Sequence, residues 1–254
     1  MPEAPSCDFG GRWVVVSGAS SGIGRALSIE LSRQGARLIL LGRDPERLAA
    51  TASRFSTDCK TLCLDLRQSA EIAARVTPLC QSAGRIYGLC HAAGVVETRP
   101  LASSTPEGIQ AMMGVNLLAG LALARVVSRR DVMTEGEGSL LFISSVYGRV
   151  GKAGQVGYSA TKGAVSAAVR SMALEMARRK IRVNALSPGL VRTEMTEKAF
   201  ALLSQAQVEE IEKAHPLGTG TPEDVARAAA FLLSPLSRWI TGIDLVIDGG
   251  YTAP

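Results

Sequence analysis

Residues that build metal sites are scarce in this sequence. Its 254 residues include five cysteines and two histidines, and no two cysteines form a Cys-x-x-Cys pair. An odd, scattered set of cysteines is typical of free thiols in a reducing compartment and argues against a zinc site or a disulfide framework. Cys59 and Cys63 would share one face of a predicted strand, which favours packing in the core. We therefore expect no bound metal.

The sequence also has few aromatic residues. They make up 4% of the chain against 46% hydrophobic residues in total, so the core is expected to be mostly aliphatic and alanine. A net charge of +5 allows an anionic partner, but the basic residues are dispersed and the aromatics are too few for base stacking. Nucleic acid is therefore not expected, and an anionic cofactor or substrate explains the charge more simply.

Long hydrophobic runs and targeting signals are missing as well. No run of eighteen uncharged apolar residues occurs, so neither a membrane-spanning helix nor a membrane partner is expected. The N-terminal tail, residues 1–11, has no basic segment followed by an apolar one, which argues against a signal peptide. A cytoplasmic location is expected by default.

The chain does contain a regular alternation of apolar, β-branched runs and helical patterns. This alternation predicts one α/β domain, residues 12–254, with a Rossmann-like, doubly wound parallel sheet of seven strands and helices on both faces. Predicted strands are 13–17, 37–41, 61–64, 86–90, 139–143, 182–186 and 244–247, and predicted helices are 23–34, 45–55, 70–82, 106–129, 158–179 and 222–233. Such sheets bind ligands beyond the carboxyl ends of their strands, where the strand order reverses.

One segment, residues 189–215, interrupts the alternation. It follows a predicted strand and carries the apolar residues Leu190, Val191, Met195, Phe200, Leu202 and Leu203. A long excursion at the ligand-binding end is typical of a lid over the site. A helical insertion that packs on the core is an equal and compatible alternative.

A glycine-rich turn follows the first predicted strand and opens the first predicted helix. Its glycines Gly18, Gly22 and Gly24 allow a tight turn that brings backbone amides against a pyrophosphate at a helix N-terminus. The intervening Ser20, Ser21 and Ile23 belong to the same candidate site. The strand before the turn and the helix after it supply the context that a dinucleotide site requires.

A tyrosine and a lysine stand four residues apart in a later helix. Positions i and i+4 share a helix face, so the Lys162 ammonium can stand beside the Tyr158 phenol. A cation about 4 Å away, at an effective dielectric of about 20, favours the phenolate by about 4 kcal/mol, about three pKa units at most. Ser145, thirteen positions before the tyrosine, could hold a carbonyl or alcohol oxygen against that phenol. Such pairs are common on helices, so the rest of the chain decides their meaning.

Together with Asn116, these residues resemble the short-chain dehydrogenase/reductase family, most closely its 3-oxoacyl-[acyl-carrier-protein] reductase and ketoreductase branch. The resemblance extends from Arg12 to Gly250. It implies a carbonyl reductase in which Tyr158 is the general acid, Lys162 lowers the tyrosine pKa and binds the nicotinamide ribose, and Ser145 orients the carbonyl. Asn116 would hold a water in a proton relay towards Lys162.

The resemblance also implies contacts to a nicotinamide dinucleotide along several strand ends. Asp65 would meet the adenine, and Pro188, Gly189 and Thr193 would touch the nicotinamide and its carboxamide. The remaining implied cofactor contacts are Leu66, Ala93, Gly94 and Val191, with Tyr158 and Lys162 touching both cofactor and substrate.

The end of the second predicted strand favours NADP(H) over NAD(H). An NAD site usually has a carboxylate there for the ribose hydroxyls, whereas this chain has Gly42 followed by Arg43. The guanidinium can bind a 2′-phosphate through two hydrogen bonds, and Ser20 could add a hydroxyl donor. Arg47 is either a second cation or a solvated helix residue, and Asp44 weakens the positive field.

One departure from the family pattern follows the fourth predicted strand. The family usually has Asn-Asn-Ala-Gly, and this chain has His91-Ala92-Ala93-Gly94. His91 has a donor and an acceptor and can replace the first asparagine, which ties neighbouring strands together. We interpret it as structural and not catalytic, and His215 as a loop residue.

The substrate stays open between a carrier-bound acyl thioester and a free carbonyl compound. Basic residues 178–180 resemble the place where family members receive an acidic carrier, but Glu135 and Glu137 would repel one. An alcohol dehydrogenase working in the oxidative direction and a non-catalytic dinucleotide-binding regulator are the alternatives. The family resemblance further suggests a homo-oligomer, a dimer or tetramer, formed through the helices around 106–129 and 158–179 and the C-terminal strand.

Overall fold

Seven parallel strands form one sheet in the computed structural model, which describes residues 8–201 and 204–253. The strands are β1 Trp13–Ser17, β2 Arg37–Gly42, β3 Cys59–Cys63, β4 Ile86–His91, β5 Gly138–Ile143, β6 Ile181–Pro188 and β7 Asp244–Ile247. Residues 1–7 of the predicted tail and Leu202 and Leu203 of the predicted lid lie outside the described residues. The seven-stranded, doubly wound parallel sheet that the alternation predicts is confirmed.

The strand order β3-β2-β1-β4-β5-β6-β7 reverses between β1 and β4. Chain progression runs outward in opposite directions from this pair, so a crevice opens at the carboxyl ends of the two strands. Ser17 at the end of β1 pairs with His91 at the end of β4. The glycine-rich turn and the segment after His91 therefore begin side by side.

Helices cover both faces of the sheet. They are α1 Gly22–Arg33, α2 Pro45–Ala52, α3 Ile72–Ala83, α4 Pro106–Met113, α5 Ala119–Val127, α6 Val156–Met176, α7 Glu194–Phe200, α8 Gln205–Lys213 and α9 Pro222–Leu233. Alternate side chains of the strands bury on opposite faces: Val14 and Val16 of β1 pack with α1, α2 and α9, whereas Val15 packs with α3, α5 and α6. Burial on both faces explains why the central strands are continuously apolar.

The predicted helix 106–129 is interrupted in its middle. Between α4 and α5, residues Gly114–Leu118 form a π-helical turn in which the Ala119 amide bonds the Gly114 carbonyl, five residues back. Apolar spacing alone does not distinguish an i→i−5 bond from an i→i−4 bond, so the turn was not predicted. It carries Asn116.

The stretch Pro106–Val127 also has the length and composition of a membrane span, with a mean hydropathy of 1.5. In this fold it packs against α3, α6 and β4, and 44% of its most apolar window is buried inside the domain. A core helix passes the same test of length and hydropathy. The absence of a membrane partner stays a prediction.

The third strand departs from its predicted position and surroundings. It spans Cys59–Cys63 and forms the edge of the sheet beside β2. Cys63 is exposed, and its thiol lies 3.1 Å from the Arg43 carbonyl oxygen. The prediction that Cys63 packs in the core is therefore wrong, because an edge strand keeps one face open to solvent.

The interrupting segment 189–215 is helical. It contains α7 and α8, and Ser204 begins α8 with a capping box to Gln207. Arg192 ties the segment together through Glu212 at 2.7 Å and Thr219 at 3.1 Å. The segment is therefore helical, as the alternative expected, but α8 buries no residue in the core, and the action of this segment as a lid stays a prediction.

Candidate active site

The glycine-rich turn joins β1 to α1 and leaves room only for backbone. Gly18 and Gly22 have positive φ angles of 71° and 50°, which glycine adopts without strain. A Cβ on Gly24 would lie 2.3 Å from the Gly18 carbonyl oxygen. The N-cap of α1 is Ser21, whose side chain makes no capping hydrogen bond. The turn is therefore the tight, amide-presenting cradle that a pyrophosphate requires.

A basic cavity of about 590 Å³ adjoins this turn beyond the ends of β2 and β3. Its lining includes the predicted Ser20, Ser21, Arg43 and Asp65, together with Asp44, Arg47, Cys63, Arg67, Gln68 and Arg75. Four arginines face two aspartates there, so the cavity is positive. Its position and charge suit the adenosine end of a phosphorylated dinucleotide.

Salt bridges single out Arg43 among these arginines. Arg47 pairs with Glu194 of α7, and its side chain is 44% exposed, so it is a partly solvated residue whose charge is shared with a carboxylate. Arg67 pairs with Asp65 at 2.5 Å, and Arg75 with Glu71 at 3.8 Å. Within the described residues, Arg43 is the arginine of this cavity that makes no ion pair.

The predicted adenine contact, Asp65, is engaged by a residue that no sequence pattern indicated. Hydrogen bonds from the Arg67 side chain lower the pKa of the Asp65 carboxyl group. Leu66 beside it is 5% exposed and packs into the core, so its side chain does not line the cavity.

The predicted nicotinamide contacts gather at the carboxyl ends of β4 and β6. A Cβ on Gly18 would lie 2.7 Å from the Ala93 amide nitrogen, and one on Gly189 would lie 2.8 Å from the Asp248 Cβ. The backbone thus approaches closely where the cofactor is expected. Pro188 ends β6, Val191 is buried, and Thr193 lies against Gly22 of the turn.

Tyr158 lies at the start of α6 and meets Ser145, which follows β5. Burial raises the pKa of Tyr158, and the nearby Ser145 hydroxyl opposes this rise without cancelling it. The Lys162 nitrogen is 5.6 Å from the centre of the tyrosine ring, and the net shift of the Tyr158 pKa is upward, opposite to the shift predicted from this cation. The phenol is therefore neutral, which is the protonation state of a proton donor.

Lys162 is buried behind the tyrosine. Its ammonium donates to the Ile143 carbonyl oxygen at 2.8 Å, and burial lowers its pKa to about 8. A Cβ on Gly94 would lie 3.6 Å from this nitrogen and 3.4 Å from the Asn116 Oδ1 atom. Gly94 therefore leaves both polar groups room beside the expected cofactor.

Asn116 is held by three hydrogen bonds that fix its amide group. Its Nδ2 donates to the Val95 carbonyl at 2.9 Å and to the Thr161 hydroxyl at 3.0 Å. Its Oδ1 accepts from the Val95 amide at 2.8 Å. Both amide hydrogens are used, so a relay water could bond this side chain only through Oδ1.

The neighbouring hydroxyls of Ser144 and Ser145 have different partners. The Ser144 hydroxyl donates to the Lys162 carbonyl at 3.0 Å, so Ser144 supports the backbone of α6. Ser145 accepts from the Tyr147 amide at 3.2 Å and faces the phenol.

An aromatic cluster beside Tyr158 was not predicted. Tyr147 packs edge-on against Tyr251 with ring centres 6.4 Å apart, and His215 stacks on Tyr251 at 4.8 Å. Burial raises the pKa of Tyr147 to about 12. His215 is 6% exposed and is more than a loop residue, because it joins α8 to the C-terminal segment. Only the fold brings these distant residues together.

The fold and the site together define a class: nicotinamide-dependent oxidoreductases that act on CH–OH and C=O groups. A family profile described as enoyl-(acyl carrier protein) reductase matches residues 18–252. Carbonyl reductase family member 4 of Danio rerio is 36% identical over 241 residues, which cover 94% of this chain and 97% of that protein. The 3-oxoacyl-[acyl-carrier-protein] reductase of Homo sapiens is 34% identical over 236 residues, covering 92% and 95%.

A solved structure agrees with these relatives. A protein from Beutenbergia cavernae, described as an NAD(P)-dependent gluconate 5-dehydrogenase with NADP bound at low occupancy, superposes with a TM-score of 0.90. It is 31% identical, and the match covers 99% of this chain and all of that one. The chain belongs to the short-chain dehydrogenase/reductase family.

Proposed function

We propose that this protein reduces the carbonyl group of a small molecule to an alcohol and uses NADP(H) to do so. The observation that carries the proposal is the placement of the Ser145 hydroxyl beside the buried Tyr158 phenol, with the Lys162 ammonium behind them. A phenol in this position can donate its proton to a carbonyl oxygen that the serine holds.

The residues at the strand ends fit a nicotinamide dinucleotide. The glycine turn would hold the pyrophosphate, the cavity around Arg43 the adenosine phosphate, and Gly94 and Gly189 the nicotinamide end. The bound cofactor supplies the hydride. The described residues contain no group of three or more His, Cys, Asp and Glu side chains that could hold a metal ion.

The chain's own residues would deliver the proton to the carbonyl oxygen and replace it afterwards. Ser145 donates a hydrogen bond to the carbonyl oxygen and holds it against Tyr158. The phenol then gives its proton to the oxygen as negative charge develops there. The Lys162 ammonium, 5.6 Å from the centre of the tyrosine ring, would bind the nicotinamide ribose, and Asn116 Oδ1 can bind the water that returns a proton towards Lys162.

The arrangement of charges supports NADP(H) as the preferred cofactor. Arg43 stands at the end of β2 without an ion pair among the described residues, and Gly42 places no carboxylate there to repel a 2′-phosphate. A guanidinium that has no protein partner keeps its hydrogen-bonding fork for a ligand. The other arginines of the cavity are already paired.

A free ketone is the favoured substrate, and a 3-oxoacyl thioester on a carrier is the second candidate. Residues 178–180 precede β6, whereas Pro188 ends it, so the basic cluster lies about 25 Å from the site at the usual strand rise. Glu137 is neutralised by Arg12 at 3.3 Å, which weakens the predicted repulsion of a carrier. The name of the human relative favours the second candidate.

The test of this function is a panel of ketones and acyl thioesters assayed by oxidation of NADPH. We expect turnover with at least one ketone and a higher kcat/KM with NADPH than with NADH. Comparing a free thioester with the same acyl group on a carrier protein separates the two substrate candidates. NADPH binding without any turnover would favour the regulatory alternative.

Exposed apolar side chains support the predicted assembly. Leu118, Leu174 and Leu245 are 49%, 81% and 36% exposed, and each lies on one of the three elements predicted to form interfaces. By light scattering we expect a mass about four times the 26.6 kDa of one chain, and a lower mass for Leu174→Glu. A mass of one chain for the unmodified protein would contradict assembly.

A further inference from the structure

The π turn leaves one backbone carbonyl for a side chain to satisfy. In an α-helix the Ala119 amide would bond the Val115 carbonyl, four residues back. Here it bonds the Gly114 carbonyl instead. The Val115 carbonyl oxygen accepts from the His91 ring, 3.0 Å from Nε2. The histidine therefore occupies the bonding position that the π turn opens.

This contact assigns the protons on the ring. A carbonyl can only accept, so Nε2 carries the hydrogen, and Nδ1 of the neutral ring accepts from the Ser17 hydroxyl at 2.8 Å. The Ser17 oxygen in turn accepts from the Ala93 amide at 3.3 Å. His91 thus connects the end of β1 at Ser17, the segment after β4 that contains Ala93, and the π turn.

The surroundings of the His91 ring fit the imidazole closely and favour its neutral form. A Cβ on Gly120 would lie 2.7 Å from the His91 ring, so glycine leaves the space that the imidazole fills. His91 is 1% exposed. Burial and the nearby charge of Lys162, opposed by hydrogen bonds to the backbone of Val115 and Asn116, lower its pKa to about 4. The ring stays neutral at physiological pH.

We propose that His91 is a positioning residue for the reaction: by donating to the Val115 carbonyl it holds the π turn, and thereby places the Asn116 amide. The proposal rests on the proposed function for its effect on turnover. Its structural part, the hold on the π turn, is independent of any substrate. The tie between β1 and β4 through Ser17 is a separate contact of the same ring.

Two substitutions separate these two contacts. The Oδ1 of asparagine falls where the histidine Nδ1 lies, so His91→Asn can keep the Ser17 bond but cannot reach Val115. The Nε2 of glutamine falls where the histidine Nε2 lies, so His91→Gln can keep the Val115 bond. We expect His91→Asn to lower kcat about ten-fold or more, with little change in the NADPH Kd, because a buried carbonyl loses its donor. His91→Gln should stay close to the unmodified enzyme.

An Asn116→Ala background tests whether the effect passes through Asn116. There His91→Asn should lower kcat no further, since the placed amide is already gone. Retained kcat in His91→Asn, or an equal further loss in the Asn116→Ala background, would overturn the proposal. Loss of kcat in His91→Gln with retention in His91→Asn would make the strand tie the functional contact instead.

Hydrogen exchange gives a readout that needs no activity. Amides of residues 114–120 should exchange faster in His91→Asn than in His91→Gln or the unmodified protein. Equal protection of the turn in all three would overturn the hold on the π turn, even if no substrate is found. Absence of ketone reduction in the unmodified protein would instead refute the proposed function alone. If His91→Asn fails to fold, His91→Gln still tests the proposal. Fast exchange of the amides of residues 114–120 in His91→Gln would contradict it.

Discussion

Replacing Tyr158 with phenylalanine is expected to lower kcat for carbonyl reduction by about 10²–10⁴-fold, the usual contribution of a positioned proton donor. The ring, its burial and its packing are kept, so the loss isolates the hydroxyl. Because the phenol delivers the proton and does not hold the adenosine cavity or the glycine turn, the NADPH Kd should change little. Stopped-flow reduction and fluorescence titration of NADPH measure the two quantities separately.

Tyr147→Phe is the matched control for that variant. Tyr147 stands two residues from Ser145 and packs on Tyr251. The Tyr147→Phe variant therefore removes a hydroxyl from the same region but keeps the assigned proton donor, Tyr158. We expect a much smaller effect on kcat. If Tyr158→Phe kept full turnover, or if both variants lost kcat equally, Tyr158 would not be the general acid.

The second large effect is expected at the adenosine cavity. Arg43→Ala should raise the KM for NADPH about 10- to 100-fold, because a hydrogen bond to a charged group contributes about 1.5–3 kcal/mol. The KM for NADH should change little, since NADH lacks the 2′-phosphate. Initial rates with the two cofactors at saturating ketone measure the change in preference.

Arg47→Ala supplies the control within the same cavity. Its guanidinium is paired with Glu194, so it has less charge to offer a phosphate and its loss should matter less than that of Arg43. Equal effects of Arg43→Ala on the two cofactors would contradict the phosphate assignment. A larger effect at Arg47 would mean that its pair with Glu194 opens to bind the cofactor.

The parts of the site that follow from local patterns were predictable. The turn with Gly18, Gly22 and Gly24 could be predicted from the sequence because its backbone geometry requires glycine. The strand before it and the helix after it come from apolar spacing. Tyr158 and Lys162 share a helix face by their separation alone. Seven strands in a doubly wound sheet follow from the same alternation.

The rest depends on contacts between distant segments. The pair between Arg47 and Glu194 joins α2 to α7, and the stack of His215 on Tyr251 joins α8 to the C-terminus. The upward shift of the Tyr158 pKa arises because burial outweighs the influence of the Ser145 hydroxyl. The exposure of Cys63 depends on β3 being an edge strand. No local pattern carries this information.

The central claim is hydride transfer from NADPH to a carbonyl carbon, and isotope transfer tests it most directly. NADPH labelled with deuterium at the transferring C4 position is incubated with the enzyme and the best ketone of the panel, and the product is examined by mass spectrometry and NMR. The account predicts an alcohol with one deuterium on the carbinol carbon, formed far more slowly by Tyr158→Phe. Unlabelled alcohol, or oxidation of NADPH without alcohol, would contradict it.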